Sequence, residues 1–318
     1  MCIRDRLIRA DGTVNYEDLA YPIQAQWCAA VCHQTGDVDW LTQWWPRLAA
    51  CRAWYEAHCM RRRGLFRQPI SRGAGLDNDP VIYGRRPETV ALVDMNCFHF
   101  REYQALAWLG EKLGKRRESA EYHAKAERLK QAINEYMWDP IDGMFYHLDL
   151  SDHDHVTRQK ITWELPYKVR SAASLFVLWG GVADQEKAQR VIEEHVLNPA
   201  EYLSDFGIRS LAKNERMYNN AMMGDPSNWQ GPIWGLITPL VAYGLAHYGY
   251  REAALEVGER LVAVFAADLH ANGTLHEYYH AETGNPVFNP GFLSWNLLAL
   301  RIMEDLRKEA NPFRLVDK

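Results

Sequence analysis

Residues 71–86 read SRGAGLDNDPVIYGRR, and in them two carboxylates, Asp77 and Asp79, flank Asn78. Gly73, Gly75, Pro80 and Gly84 interrupt any 3.6-residue period, so the segment is expected to be a loop. Another carboxylate, Glu277, sits in LHEYYHAETG among His276, Tyr278, Tyr279 and His280. Hydrolysis of a glycosidic bond needs two carboxyl groups. One gives a proton to the leaving oxygen, and the other activates water or attacks the anomeric carbon. DPSNWQGPIWG, residues 225–235, adds Trp229 and Trp234 around Gly231 and Pro232. Flat rings on such a loop suit the C–H faces of a pyranose, whose hydroxyls carboxylates and amides bind. ETVALVDMN, residues 88–96, puts Asp94 and Asn96 in the first turns of a helix. Asp77 and Glu277 can act together only if the fold unites their loops.

Each of these residues has a plainer reading. Asp, Asn, Gly and Pro are ordinary turn formers, and Asp79, fixed beside Pro80, is expected to cap a turn. Asp94 lies in an apolar helical context and could be a structural, hydrogen-bonded carboxylate. Asp225 is expected in the turn before Trp229. Trp163 and Glu164, in ITWELPYK, form another candidate site loop. His276 and His280 stand one helical turn apart, but no third ligand with suitable spacing accompanies them, so no metal is expected. No cofactor is implied. A net charge of −5 without a basic stripe argues against nucleic acid or an anionic membrane as partner. A small carbohydrate is the expected partner, and the oligomeric state is open. No apolar run approaches the roughly 20 residues that span a bilayer. The six cysteines are scattered without a CxxC pair and read as buried free thiols in a reducing, cytoplasmic setting.

The elements that must position these loops are helical. Ile23, Trp27, Ala30 and Gln34 recur at helical steps up to Gly36; Leu41, Trp44, Leu48 and Tyr55 continue beyond Asp37 and Asp39. Leu92 to Leu113 and Tyr122 to Tyr136 give two more helices. Others are expected near 166–180, 184–197, 230–249, 251–269 and 291–308. In the 251–269 segment Leu255, Val262, Phe265 and Leu269 form the apolar stripe, and Gly258 on that face allows close helix packing. Strand signals are sparse, with GMFYHLDL at 143–150 as the one hairpin candidate. Helices joined by short turns and followed by longer Gly/Pro loops suggest hairpins around an axis, with the long loops gathered at one end. No fixed repeat period occurs.

Taken in order, these segments resemble a known family. TGDVDWLTQWWPRLAACRAWYEAHC and GLFRQPISRGAGLDNDP resemble the run before the general acid of trehalase and of glycoside hydrolase family 63, which includes the mannosylglycerate hydrolases. VALVDMNCFHFREYQALAWLGEKLG is similar to their Val-Asp-Leu-Asn helix, and WDPIDGMFYHLD to the segment after it. FGIRSLAKNERMY with NWQGPIW resembles the Gly-Pro-Ile-Trp loop, and LHEYYHAETG the stretch holding the general base. The resemblance implies an all-α (α/α)6 toroid and a single domain over 1–318. It implies an inverting mechanism on an α-linked glucoside or mannoside, with Asp77 as general acid and Glu277 as general base. Asp77 should then be the less solvated of the two, so that it stays protonated. Gln24, Asp94, Asn96, Trp229, Gln230, Trp234 and Tyr278 would contact or shape the sugar site. The helical patterns fall one hairpin short of the toroid, and MCIRDR matches nothing, so the first hairpin is expected to be missing and the end helices to expose apolar faces. Arg72, Gly73, Ala74 and Gly75 depart from the family's Glu-Ser-Gly, and Gln230 stands where arginine is frequent; both bear on substrate identity. A sugar epimerase would want paired histidines on inner helices, and a helical terpene cyclase an Asp-rich run, and neither is present. A non-catalytic carbohydrate-binding relative would keep the aromatics but lose a carboxylate.

Overall fold

A computed structural model describes residues 6–8, 14–19, 21–68, 75–85, 88–150 and 164–308, and the structural statements below concern these. Trp163, Arg72, Gly73, Ala74 and residues 1–5, singled out above, lie outside them. Helix makes up about 53% of the chain. The helices are α1 (Gln24–Thr35), α2 (Trp45–Cys59), α3 (Val93–Lys112), α4 (Arg116–Tyr136), α5 (Phe176–Gly180), α6 (Gln185–Arg190), α7 (Ile237–His247), α8 (Arg251–Asn272) and α9 (Ser294–Arg307). A π-helical stretch, Val191–Val196, continues α6.

Neighbours in sequence pair first: α3 packs on α4, and α7 on α8. The odd-numbered helices then touch one another in order, α1 on α3, α3 on α5, α5 on α7, α7 on α9. Burial follows this layering. From Val93 to Gly110 nearly every residue of α3 is buried, as is α7 from Ile237 to Leu245, whereas α4 buries one stripe and is charged elsewhere. A helix enclosed on all sides must find partners for its polar side chains. Glu102 of α3 accepts the Ala25 and Gln26 amides at 2.7 and 3.3 Å, which satisfies the start of α1, where Ile23 offers no side-chain cap. No helix among the described residues is long and apolar enough to cross a membrane. On the end helices, Trp27 and Val31 of α1 are exposed, as are Leu297 and Leu300 of α9 with Leu293 just before it.

Several local expectations change. The 251–269 stripe is rotated: Ala254, Val257, Gly258, Leu261, Val264 and Phe265 are buried, while Leu269 is exposed. Gly258 does permit close packing, because a Cβ there would collide with Met303 of α9. The 143–150 stretch is extended but is no hairpin. Met144–Phe145 pairs with Trp138–Asp139, and His147–Asp149 pairs with Val90–Ala91 and Leu165–Tyr167. The helices expected from 166 and 230 begin later, at Phe176 and Ile237, because Leu165–Tyr167 and Ile233–Trp234 are claimed by cross-strand partners. Cys32, Cys51, Cys59 and Cys97 are buried free thiols, and Cys28 is half-buried.

Candidate active site

Ile233–Trp234, His276–Tyr279 and Pro286–Pro290 form a small antiparallel sheet. Its register pairs Trp234 with Tyr278, Tyr278 with Phe288, and His276 with Pro290. Alternation therefore lines Trp234, Tyr278 and Phe288 along one face, with ring centroids 4.8 and 6.0 Å apart, and turns Glu277 to the other, opposite Asn289. Asn289 Nδ2 donates to Glu277 Oε2 at 2.9 Å, and Ser227 Oγ donates to Oε1 at 3.2 Å. Glu277 is 8% exposed. Asn289 has a φ of 55°, a left-handed conformation that asparagine tolerates better than most residues.

The turn carrying Asp77 is fastened to this sheet through residues 217–230. Asn78 is buried, and its Oδ1 accepts the Trp229 amide at 2.6 Å. Gln230 Nε2 donates to the Asn78 carbonyl at 3.0 Å, and Asn78 Nδ2 lies 3.7 Å from Met223 Sδ. Met223 is latched in turn by Tyr278, whose hydroxyl donates to the Met223 carbonyl (2.7 Å) and accepts its amide (2.8 Å). Asp79 is buried; it accepts the Val81 amide at 2.8 Å and the Ser171 hydroxyl, and burial raises its pKa. It caps the turn, as its place before Pro80 suggested. Asp77 is exposed, which reverses the expected order of solvation: Asn78 and Asp79 take the inward positions, and Asp77 faces out.

Under this turn lies Tyr21, whose ring edge is 3.3 Å from where a Cβ on Gly75 would stand. Its hydroxyl donates to Asp94 Oδ2 at 2.8 Å, while Oδ1 of Asp94 has no partner. Burial pushes the Asp94 carboxyl up to about 7, opposed by the Tyr21 bond. Gln24, at the start of α1, likewise keeps a buried and unpartnered Oε1. Asp94 and Gln24 therefore each hold one buried acceptor without a protein partner.

Other predicted contacts have their valences taken. Asn96 is fully buried; its Oδ1 accepts the Phe66 amide and its Nδ2 donates to the Phe66 and Leu92 carbonyls, at 2.7–2.8 Å. It staples α3 to the segment before the Asp77 turn. Trp234 and Tyr278 are fully buried, and Trp234 Nε1 donates to the Asn228 carbonyl. Both belong to the sheet's own strands, on the face away from Glu277. Gln230 is bonded to Asn78, Asn219 and Asn228 and braces the turn that carries Asp77. Trp229 stacks on Trp234 with centroids 3.7 Å apart, yet its Nε1 is unpartnered. Glu164 pairs with Arg62 and Arg63. His276 Nδ1 is bound to Asp268, and His280 Nδ1 accepts the Glu282 amide. Among the described residues no group of three or more His, Cys, Asp or Glu could hold a metal ion. Sequence reasoning missed Tyr21, Asn78, Ser227 and Asn289. The Asn-Pro step at 289–290, a turn signal next to a strand, was the one visible hint.

Residues 7–295 match the family model of the mannosylglycerate hydrolase MGH1-like glycoside hydrolase domain. The chain belongs to this glycoside hydrolase family. It is 25% identical over 198 residues to a mannosylglycerate hydrolase from Rubrobacter radiotolerans, covering 62% of this chain and 40% of that protein. It is 29% identical over 171 residues to a cytosolic neutral trehalase from Kluyveromyces lactis, covering 53% and 21%. The chain thus spans less than half the length of these curated relatives. Its fold is similar to that of the family 63 mannosylglycerate hydrolase from Thermus thermophilus solved with glucose, with a TM-score of 0.70, 21% identity, and coverage of 94% of this chain and 78% of that one.

Proposed function

We propose that this domain hydrolyses an α-linked glucoside or mannoside with inversion, Asp77 acting as general acid and Glu277 as general base. The observation that carries the reading is the fastening of the two loops: Asn78 binds the Trp229 amide, and two residues earlier Ser227 binds Glu277. In the reaction, Asp77 gives its proton to the glycosidic oxygen as the bond to the anomeric carbon lengthens. Glu277 takes a proton from a water that attacks that carbon from the opposite face. The Ser227 and Asn289 bonds fix the Glu277 carboxylate in one rotamer and leave lone pairs for the water. Such a mechanism needs the two carboxyls about 6.5–9.5 Å apart. Since Asp77 is exposed, its desolvation would come from the sugar covering it. Asp94, Gln24 and Trp229, with their unused polar atoms, are the side chains we assign to sugar hydroxyls. The chain of contacts from α1 through α3, α5 and α7 to α9, with α4 and α8 behind, supports an (α/α)6 toroid as the scaffold.

The test is a panel of α-glucosides and α-mannosides, including trehalose and mannosylglycerate, followed by NMR of the first product anomer. From mannosylglycerate and other α-glycosides of a non-sugar aglycone the β-anomer should appear first, and trehalose should give one β- and one α-glucose, because its leaving sugar keeps its configuration. Asp77→Asn or Glu277→Gln should lower kcat by at least about 100-fold. An α-anomer as first product of the single-sugar glycosides, two α-glucoses from trehalose, or full activity in either variant refutes the assignment.

A further inference from the structure

We infer that Asn78 is the positioning residue that sets the general acid against the general base, a role resting on the reading of Asp77 and Glu277 just given. Asn78 is 2% exposed, directly follows Asp77, and spends its side chain entirely on the opposite loop. Two routes lead from it to the base. One passes from Asn78 Oδ1 to the Trp229 amide, then along the backbone to Ser227 and its bond to Glu277 Oε1. The other passes from Asn78 Nδ2 to Met223 Sδ, then through the paired Met223–Tyr278 bonds to the residue after Glu277. Other bonds hold the loop itself in shape: Asn228 Nδ2 donates to Asn219 Oδ1 and the Ala221 carbonyl, and the Ala281 amide donates to Asn220 Oδ1. The residue bonded to Asp77 is anchored to the loop that reaches Glu277, so the backbone at Asn78 ties the register of the acid to that of the base. An asparagine serves here because it must accept from an amide and donate in the same plane. Misplacement of a catalytic group by about 1 Å can cost on the order of 100-fold in rate, so a tie of this kind acts on kcat rather than on sugar binding.

Leaving-group dependence separates this role from a merely structural one. Protonation of the leaving oxygen matters for trehalose and mannosylglycerate, but fluoride departs from α-glucosyl or α-mannosyl fluoride as the anion, without a proton. Asn78→Ala should lower kcat on the oxygen glycosides by roughly 10–100-fold with KM little changed, while hydrolysis of the fluorides stays within about threefold. Asp77→Asn should show the same split, and Glu277→Gln should lower both reactions. Wild-type rates on both substrate types in Asn78→Ala, or equal loss on both, overturns the proposal. If that variant melts below the assay temperature, Asn78→Asp replaces it. It keeps the acceptor for Trp229, loses the donor toward Met223 and adds a charge beside Asp77. A smaller split is then expected, with the alkaline limb of kcat/KM moved to higher pH; no split and an unmoved limb overturns the proposal. Absence of the split in Asp77→Asn means that the general-acid reading itself has failed, and the role of Asn78 falls with it.

Discussion

Replacing Asp94 by asparagine should stabilise the protein at neutral pH while impairing it as an enzyme. Asp94 is 1% exposed, with one oxygen bound by Tyr21 and the other unpartnered. Its carboxyl is raised from 3.8 to about 7, with burial the main cause. Because the folded pKa is the higher one, the unfolded chain ionises first as pH rises. Stability is thus full below about pH 4, falls through the interval to about pH 7, and is flat above it. About three pH units at 1.36 kcal/mol each give roughly 4 kcal/mol, an upper bound because rearrangement and water entry soften the penalty. An asparagine keeps an acceptor for the Tyr21 hydroxyl and carries no charge. Urea unfolding at pH 4 and pH 8 should show the two proteins nearly equal at the lower pH and the variant more stable by about 2–4 kcal/mol at the higher. Asp79 lies close enough to interact with Asp94, and it is also raised by burial. Its own slope is largely common to both proteins, so the difference between them reports Asp94. A variant that is less stable than wild type by the same amount at both pH values would refute the argument, since the Tyr21 bond would then outweigh burial. A destabilising group is expected where activity needs it, which is what the proposed role of Asp94 toward the sugar requires.

Four further variants have outcomes set by the packing. Asn96→Ala removes three buried bonds to backbone and should destabilise by roughly 2–4 kcal/mol in urea unfolding, with kcat/KM per folded molecule unchanged. Gly244→Ala would set a Cβ 2.7 Å from the Leu178 backbone, so α7 must move from α5 and thermal melting should report a loss of roughly 1–3 kcal/mol. Trp229→Phe should raise KM several-fold by deleting an indole N–H that has no protein partner. Trp234→Phe should leave KM alone and cost about 1 kcal/mol, having lost its bond to Asn228.

What the sequence could and could not disclose divides along the range of the interactions involved. Helices α3, α4 and α8 were legible because their apolar residues recur within one turn of each other, which is local information. The short strands were not. Ile233–Trp234 is a strand only because Tyr278 and Tyr279 lie opposite, and 143–150 is split because its halves answer to different partners. The candidate site divides in the same way. Residue type could mark Glu277, Asp94 and Trp229 as able to meet a sugar, but type does not record which valences are already used. Asn96 and Asn78 are the same side chain, each next to or near an acid, and each fully bonded. Asn96 spends its bonds on Phe66 and Leu92 and therefore belongs to the scaffold. Asn78 spends them on Trp229 and Met223, the loop that reaches Glu277, and so couples two loops that lie far apart in the chain. The chemistry of a residue is written in the sequence, whereas its role depends on which distant atoms claim its hydrogen bonds, and only the folded chain sets that.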